Sequence, residues 1–241
     1  MGKNIISQRR GRGTMTYRSH SHRWKAEIKH RVYDKTEQEA AVKGKIMDLI
    51  NCPGHSAPLA LIKFENGDTI YIPAPENIKV NDEIQSGFAS KPVLGSTLPL
   101  QNIPEGTLIY NIEMLPGDGG KLCRSSGSFA RVLTKTRAGV IIELPSKKQK
   151  TFNPLCRANI GIIAGGGRDE KPWVKAGKRH HAMRARGKLY PRTSAVAMNA
   201  VDHPFGSGRG RKHAKIKPAS PHAPPGRKVG PVMSKRQGRK K

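Results

Sequence analysis

The sequence lacks most of what anchors a protein to a membrane or cross-links it. Its three cysteines, Cys52, Cys123 and Cys156, are scattered, odd in number and without C-x-x-C spacing, so the sequence supports neither a disulfide framework nor a zinc knuckle and fits a reducing cytoplasm. No apolar run approaches the ~20 residues needed to span a bilayer, and residues 1–12 lack the apolar stretch of a secretory signal. We therefore expect neither secretion nor a membrane partner.

Acidic residues are almost missing from both ends of the chain. Residues 1–35 hold ten Lys/Arg against two acids, and residues 171–241 hold twenty against one. Residues 36–170, by contrast, hold fifteen Lys/Arg and fourteen Asp/Glu. Because only a polyanion can neutralise so much positive charge at close range, we expect a nucleic-acid partner and two extensions that reach into it.

Apolar residues are also scarce, at 35% of the chain, with 5% aromatic. The aliphatic runs lie between residues 36 and 170, so the core is expected there. Residues 203–241 are rich in Gly and Pro and poor in Leu, Ile and aromatics. Such a stretch buries too little surface to order alone and is expected to fold on its partner.

Short apolar runs bounded by turn residues predict a mainly β protein. Asn66-Gly67-Asp68 is the strongest hairpin signal. Strands over 45–50, 57–64, 69–72 and 78–84 are typical of an OB-fold barrel within residues 36–95. Strands over 107–114, 129–134, 140–144, 148–152 and 158–164 predict an SH3-like barrel within residues 96–170. One short helix is predicted over Glu37–Val42, capped by Thr36, while residues 1–35 and 171–241 are predicted to be long, basic and irregular extensions.

The run PGDGGK over Pro116–Lys121 superficially has the glycines and lysine of a phosphate-binding loop. Leu115 and Leu122 stand where the P-loop pattern requires Gly and Ser or Thr, so that function is excluded. Its backbone N–H groups, with Lys121 and the nearby Arg124, still predict contact with RNA phosphates. A plain hairpin loop is the alternative.

Residues 175–188 carry a cation at every second or third position, and no acid lies among them. An ordinary solvated face would mix in acids, so this segment predicts binding to nucleic-acid grooves or phosphates. His180 and His181 are residue types that bind metals. Without nearby Cys or carboxylates, contact with RNA is the favoured interpretation, and no metal site is predicted.

The most distinctive stretch runs from Met198 to His213. Asp202 is the one acid in the last seventy-one residues, which suggests that it holds a neighbouring arginine or an imidazole from elsewhere. Pro204 restricts His203 to extended geometry. The glycines at 206, 208 and 210 let the backbone approach a crowded nucleic-acid site closely.

The residues 198–213, MNAVDHPFGSGRGRKH, followed by HAPPGRKVG at 222–230, resemble the family of the universal large-subunit ribosomal protein number two, in its archaeal and eukaryotic branch. Residues 44–87 resemble the OB-fold half of that family, and residues 98–130 resemble the opening of its SH3-like half. Two departures from the bacterial pattern stand out. Phe205 replaces a second histidine, and Ser207 interrupts a glycine triplet.

The resemblance implies a primary rRNA-binding protein of the large subunit, in the cytoplasmic ribosome beside the peptidyl transferase centre. It implies support of subunit association, tRNA binding and peptide-bond formation, with other ribosomal proteins and the small subunit as neighbours and tRNA as an indirect partner. No cofactor of its own is expected, although Mg²⁺ should accompany the rRNA.

His203 matches the family's histidine in the D-H-P motif. An unperturbed imidazole titrates near pH ~6.5, which suits a general base. Neighbouring side chains of an extended segment point apart, so Asp202 and His203 are not a ready-made dyad. We therefore expect His203 to position RNA, and we do not expect an enzyme.

RNA contacts are predicted for one histidine and for cations of both extensions and the glycine-rich loop: Arg9, Arg10, Arg12, Arg18, Arg23, Lys121, Arg124, Lys178, Arg179, Arg184, Arg186, His203, Arg209, Arg211 and Lys212. Specificity is expected to come from RNA shape more than from base reading, because A-form RNA hides its major groove. Two alternatives stay open. One is direct catalysis by His203, and the other is sequence-indifferent packaging of nucleic acid, which charge alone supports.

Overall fold

The computed structural model describes residues 2–208 and 218–231, and all of its strands lie in the middle of the chain. The chain divides into a central unit, Ser21–Pro172, and a terminal unit, Met1–His20 with Trp173–Lys241. The predicted N-terminal extension is thus shared between them. Its last part, from Ser21 onwards, belongs to the central unit.

The central unit is built on one ten-stranded sheet in the order β3-β2-β1-β4-β5-β10-β6-β7-β8-β9. Only the β4–β5 pair, through Ser86 and Thr97, is parallel. The strands are β1 Ala41–Ile50, β2 Leu59–Phe64, β3 Thr69–Pro73, β4 Glu83–Gly87, β5 Thr97–Pro99, β6 Leu108–Tyr110, β7 Ala130–Thr136, β8 Gly139–Glu143, β9 Gln149–Phe152 and β10 Arg157–Ile160. The α-helices are α1 Ile6–Arg9, α2 Lys35–Glu39 and α3 Ala176–Ala185, and 3₁₀ turns span Ser21–Arg23, Leu100–Asn102 and Ala195–Ala197.

The first half of the sheet forms because its apolar residues alternate with polar ones. On β1, Lys45 is exposed while Ile46 is buried, as the two-residue period of a strand requires. The predicted hairpin is confirmed: β2 and β3 pair from Lys63–Thr69 onwards, and Gly67 takes a φ of 88° in the turn. The buried faces of these strands make one apolar cluster around Ile46, Ile62 and Ile72.

The second half packs a separate apolar cluster that includes Leu98, Ile109, Val132, Ile142 and Ala158. Its strands β7 and β8 form the predicted hairpin, with a register shift between Val132 and Thr134 that marks a bulge. The mainly β architecture is confirmed. The division into an OB-fold barrel and an SH3-like barrel near residue 95 stays a prediction, because one sheet runs through both halves.

Three local predictions are wrong. The strand predicted over 78–84 begins only at Glu83, as β4, because residues 78–82 form a turn in which Asn81 takes a φ of 76° and the N–H of Lys79 donates to the Asp82 carboxylate at 2.7 Å. Strand β5 went unpredicted because it has three residues and owes its pairing to β10. The short helix is α2, which begins at Lys35 because the Asp34 carboxylate, and not Thr36, caps it by accepting from the Glu37 N–H. It ends at Glu39 and not at Val42, because the backbone of Ala40 is already extended.

The terminal unit was predicted to be irregular, yet it contains helix α3. The helix begins after Lys175 without a side-chain cap and ends before Gly187, whose φ of 60° suits a helix C-terminus. None of its residues is buried. The sequence missed this helix because it has no apolar face, which is the signal that predicts most helices.

Candidate nucleic-acid interface

The terminal unit is almost wholly cationic. Its sequence contains twenty-four Lys/Arg and a single Asp/Glu, Asp202. Among its described residues only Ile5 and Gly187 are buried. A unit with so little apolar burial and so much like charge is stabilised when a polyanion lies against it.

Helix α3 presents this charge in a regular array. Lys178, Arg179, Arg184 and the following Arg186 are all exposed. The guanidinium carbon of Arg179 lies 5.3 Å from the ring centre of Tyr190, a cation–π contact that orients one of these side chains. The helix carries no acid to pair with its cations. Its cations are therefore available to bind an anionic partner.

Asp202 connects the two chain ends within the terminal unit. Its carboxylate lies 3.7 Å from the Lys3 ammonium, and the Lys3 N–H donates to the Val201 carbonyl at 2.8 Å. The predicted arginine or imidazole partner is replaced by this lysine. The backbone hydrogen bond, with this exposed ion pair next to it, places the N-terminal segment beside the segment that carries His203.

The His203 ring is half-buried and is held by its own turn. The backbone N–H of Phe205 donates to its Nδ1 at 3.0 Å, and the two rings lie 5.1 Å apart. Partial burial lowers the pKa of His203 from its usual 6.5. Because Nδ1 accepts a hydrogen bond, the proton of the neutral ring sits on Nε2. The neutral ring therefore offers a donor and no free lone pair, which suits binding an RNA oxygen better than general-base catalysis.

Tight backbone packing explains one glycine of the D-H-P turn. A Cβ on Gly206 would lie 2.3 Å from the Asn199 carbonyl oxygen, so only glycine fits there. Ser207 takes a φ of 80°, a conformation that normally favours glycine. The position at which the sequence departs from a glycine triplet thus keeps a glycine-like backbone.

In the central unit, the glycine-rich loop is held from inside the protein. The N–H groups of Gly117 and Gly119 donate to the buried Glu113 carboxylate at 3.2 and 3.1 Å. These two N–H groups were predicted to be offered to phosphates, and that prediction is wrong because Glu113 already uses them. Lys121 is exposed beside the loop and remains the better candidate for a phosphate contact.

Arg124 is half-buried and binds the protein itself. Its guanidinium donates to the carbonyls of Gly120 and Ile28, at 3.3 and 3.2 Å, which ties residues 21–35 to the loop. Burial lowers its pKa below the usual value, although the nearby Glu27 opposes this. Its contact with RNA stays a prediction. The exposed Trp24 packs its ring 5.8 Å from that of His55.

A buried ionic network, which no sequence pattern predicted, lies inside the central unit. The Arg157 guanidinium donates to Glu113 at 2.9 Å and to Glu37 at 3.2 Å. Arg31 donates to Glu37 at 3.1 Å and to Asp34 at 2.7 Å, which holds the pKa of Asp34 well below its usual range. No local motif marks these residues, because Arg157 and Glu37 are 120 positions apart in the chain.

The structure therefore distributes the predicted contact residues over both units. All the described cations among them are exposed except Arg124. The central unit holds Arg23, Lys121 and Arg124. The terminal unit holds Arg9, Arg10, Arg12, Arg18, Lys178, Arg179, Arg184, Arg186 and His203. Arg209, Arg211 and Lys212 lie outside the described residues.

Neither a metal-binding cluster nor a membrane-spanning helix is present within residues 2–208 and 218–231. In that part of the chain, no group of three or more His, Cys, Asp or Glu side chains is arranged to hold a metal ion. Nor does any of its helices have the length and apolar character to cross a bilayer.

A β core that carries exposed cations, together with an acid-poor cationic unit, defines a nucleic-acid-binding protein. Residues 2–86 match the family model described as Ribosomal Proteins L2, RNA binding N-terminal domain. Residues 93–223 match that of Ribosomal Proteins L2, C-terminal domain. The chain belongs to the L2 family of ribosomal proteins.

Curated relatives agree along the full length. The chain is 53% identical over 241 residues to the large ribosomal subunit protein uL2 of Methanothermobacter thermautotrophicus, with 100% of both chains covered. It is 50% identical over 241 residues to uL2 of Methanosphaera stadtmanae, again with 100% of both chains covered. It is 52% identical over 240 residues to uL2 of Haloarcula marismortui, covering 99% of this chain and 98% of that protein. The predicted family resemblance is confirmed.

Proposed function

We propose that this chain is a structural constituent of the large ribosomal subunit that binds rRNA through both of its units. The central unit docks as a folded β body, while the terminal unit threads its cations between rRNA segments. The main support for this function is the composition of the terminal unit, which has twenty-four Lys/Arg and one acid. Its described residues form almost no apolar core. RNA phosphates supply the neutralising charge.

The finer placement follows from the family. As a member of the L2 family, the chain is proposed to lie beside the peptidyl transferase centre and to support subunit association, tRNA binding and peptide-bond formation. His203, whose Nε2–H is a donor, serves there by positioning RNA. Mg²⁺ ions are expected on the rRNA phosphates, because the described residues offer no carboxylate cluster for them.

Competition between nucleic acids tests the proposal. The purified full chain is titrated with large-subunit rRNA and with duplex DNA of equal mass while salt rises from about 0.05 M to about 0.2 M. Non-specific binding should lose about 10³–10⁵ in affinity over this range when six to ten phosphates are contacted. We expect rRNA binding to survive at the higher salt and DNA binding to vanish. Equal retention of both would support sequence-indifferent packaging instead.

The role of His203 has its own test. Large subunits that carry His203→Gln keep a side-chain donor but have no titrating ring. We expect their peptidyl-transfer rate to keep the wild-type dependence on pH. A lost titration near neutrality, with normal assembly, would favour the catalytic alternative.

A further inference from the structure

The terminal unit encloses a cavity of about 520 Å³. Ile5 and Tyr17 line it from the N-terminal segment, and residues from Arg179 to His203 line it from the C-terminal segment. Sites of about 300–1,000 Å³ take small molecules or single groups of a larger ligand. The cavity is therefore too small for a duplex and large enough for one nucleotide.

Its wall carries four cations and no carboxylate. Arg10, Arg179, Lys188 and Arg192 line it, and the unit's one acid, Asp202, does not. No acidic side chain of the lining neutralises these cations. An anionic ligand is the chemistry that this wall fits, and arginine forks suit a phosphate in particular.

The remaining lining residues suit the other parts of a nucleotide. Tyr17 and Tyr190 supply aromatic rings, and the Arg179 guanidinium already lies over the Tyr190 ring. Bases that leave a helix stack on aromatic side chains and on arginine planes. The hydroxyls of Ser7 and Thr193 offer both donors and acceptors to a ribose or a base edge.

We propose that this cavity takes one unstacked rRNA nucleotide, with its phosphate on the arginines and its base against the tyrosine rings. The inference rests on the proposed function and adds to it one defined binding site. His203 lines the same cavity and offers its Nε2–H. The bound nucleotide would thus contact both the N-terminal segment and residues 179–203 of the terminal unit.

Chemical probing of large subunits tests the site. Subunits that carry the full-length wild-type chain, Arg179→Ala or Ala195→Trp are treated with reagents that modify the Watson–Crick edges of all four bases. Ala195 also lines the cavity, so a tryptophan there fills it while keeping every cation. We expect both variants to raise the reactivity of the same one or two nucleotides at least fivefold. Lys228→Ala, which removes an exposed cation of the same unit away from the cavity, should leave those nucleotides unchanged.

The outcomes separate this site from the proposed function. If the wild-type chain protects no rRNA nucleotide at all, the proposed function itself fails. If it protects rRNA but the two cavity variants expose no common nucleotide, or expose the same ones as Lys228→Ala, only the cavity inference is overturned.

A third arm addresses free nucleotides, which share this chemistry. The purified chain is titrated with AMP and with UMP in the absence of RNA. We expect no saturation below about 1 mM, because the terminal unit has almost no core to hold the cavity shut on its own. Tight binding of either mononucleotide, without a protected rRNA position, would assign the cavity to a free nucleotide and overturn the proposal.

Discussion

The central and terminal units of this protein reach order by opposite means. The central unit has twenty-one Lys/Arg against sixteen Asp/Glu, and it contains every buried hydrophobic side chain of the described residues except Ile5. The terminal unit has twenty-four Lys/Arg against one acid. The comparison teaches that a balanced charge lets a chain collapse on itself, whereas one-sided charge makes collapse depend on a counter-charged partner.

Some charged side chains of the central unit are buried in pairs, whereas the described cations of the terminal unit are exposed. Inside the central unit, Arg157, Glu37 and Glu113 are fully buried and satisfied by one another. Among the described residues of the terminal unit the cations are exposed, and Lys3 is the one that lies near an acid. Substitutions that remove one charge should therefore have large effects on unfolding in the first unit and small effects in the second.

The largest effect is expected for Arg157→Met. The substitution leaves the buried Glu113 without its guanidinium partner and removes one of the two guanidinium groups that bind Glu37, and breaking a buried pair costs about 3–5 kcal/mol. Urea unfolding is followed by fluorescence in a Trp173→Phe background, where Trp24 is the remaining tryptophan, and it measures the free energy of unfolding of the central unit. Lys63→Met is the matched control, because Lys63 is exposed on β2 and its loss should cost less than about 0.5 kcal/mol. If the two variants lowered the free energy of unfolding equally, the buried ion pairs would not stabilise the central unit more than an exposed charge does.

A smaller effect is expected from pH, through His30. Burial and the neighbouring Arg157 lower the pKa of His30 from 6.5 to about 4, although Glu113 opposes this. The unfolded chain therefore takes up the proton at a higher pH than the folded one. Stability is fully present above about pH 6.5 and is lost as the pH falls towards 4, by about 2 kcal/mol between pH 7 and pH 5.

The variant that checks this dependence is His30→Gln, which can still donate to the Asn111 carbonyl that His30 Nε2 contacts at 2.8 Å. We expect the free energy of unfolding of His30→Gln to lose about 2 kcal/mol less than the wild type between pH 7 and pH 5. His180→Gln, on the exposed surface of α3, should keep the wild-type dependence. A wild-type slope retained by His30→Gln would assign the pH dependence to other groups.

The next substitution, Gly177→Ala, is expected to stabilise the protein, and it lies in the terminal unit. Gly177 lies in the first turn of α3, and a Cβ there would meet no atom within 4 Å. Gly177→Ala should stabilise the helix by up to about 1 kcal/mol, because alanine loses less backbone entropy. Hydrogen exchange of the α3 amides should slow by up to about fivefold. Gly11→Ala, equally unhindered but outside any helix, should leave α3 exchange as it was.

The smallest effect on unfolding is expected for Arg12→Ala, at an exposed terminal position. The free energy of unfolding should change by less than about 0.5 kcal/mol. The slope of log affinity for rRNA against log salt should nevertheless fall by about 1, because one phosphate contact is lost. Arg12→Lys keeps the charge and should keep the slope. An unchanged slope in Arg12→Ala would remove Arg12 from the interface.

Local signals predicted much of the β core. The Asn66-Gly67-Asp68 turn and the alternating runs around it needed no distant partner to be recognised, and the structure has them in place. Strand β5 and helix α3 escaped prediction for opposite reasons. Three residues carry too little periodicity to signal a strand, and a helix that is cationic on every side has no apolar face to reveal it.

The candidate interface was predictable as a region and not as a set of contacts. The distribution of charge along the sequence predicted which cations would contact RNA, and most of those that the structure describes are exposed. It could not reveal that Arg124 binds the Ile28 carbonyl, 96 residues away, or that Glu113 takes the N–H groups of Gly117 and Gly119. Those bonds depend on which segments the fold brings together.

The class of this protein could be read from its amino-acid sequence, which contains a mainly β centre, two cationic ends and the motifs of the L2 family. Composition and short motifs suffice for this, because net charge, turn geometry and strand periodicity are properties of neighbouring residues. The fold, in contrast, sets which charges are buried in pairs, that Asp202 lies beside Lys3, and that residues 5–17 and 179–203 line a shared cavity. Each of these depends on distances between residues that are remote in the chain, and folding alone sets those distances.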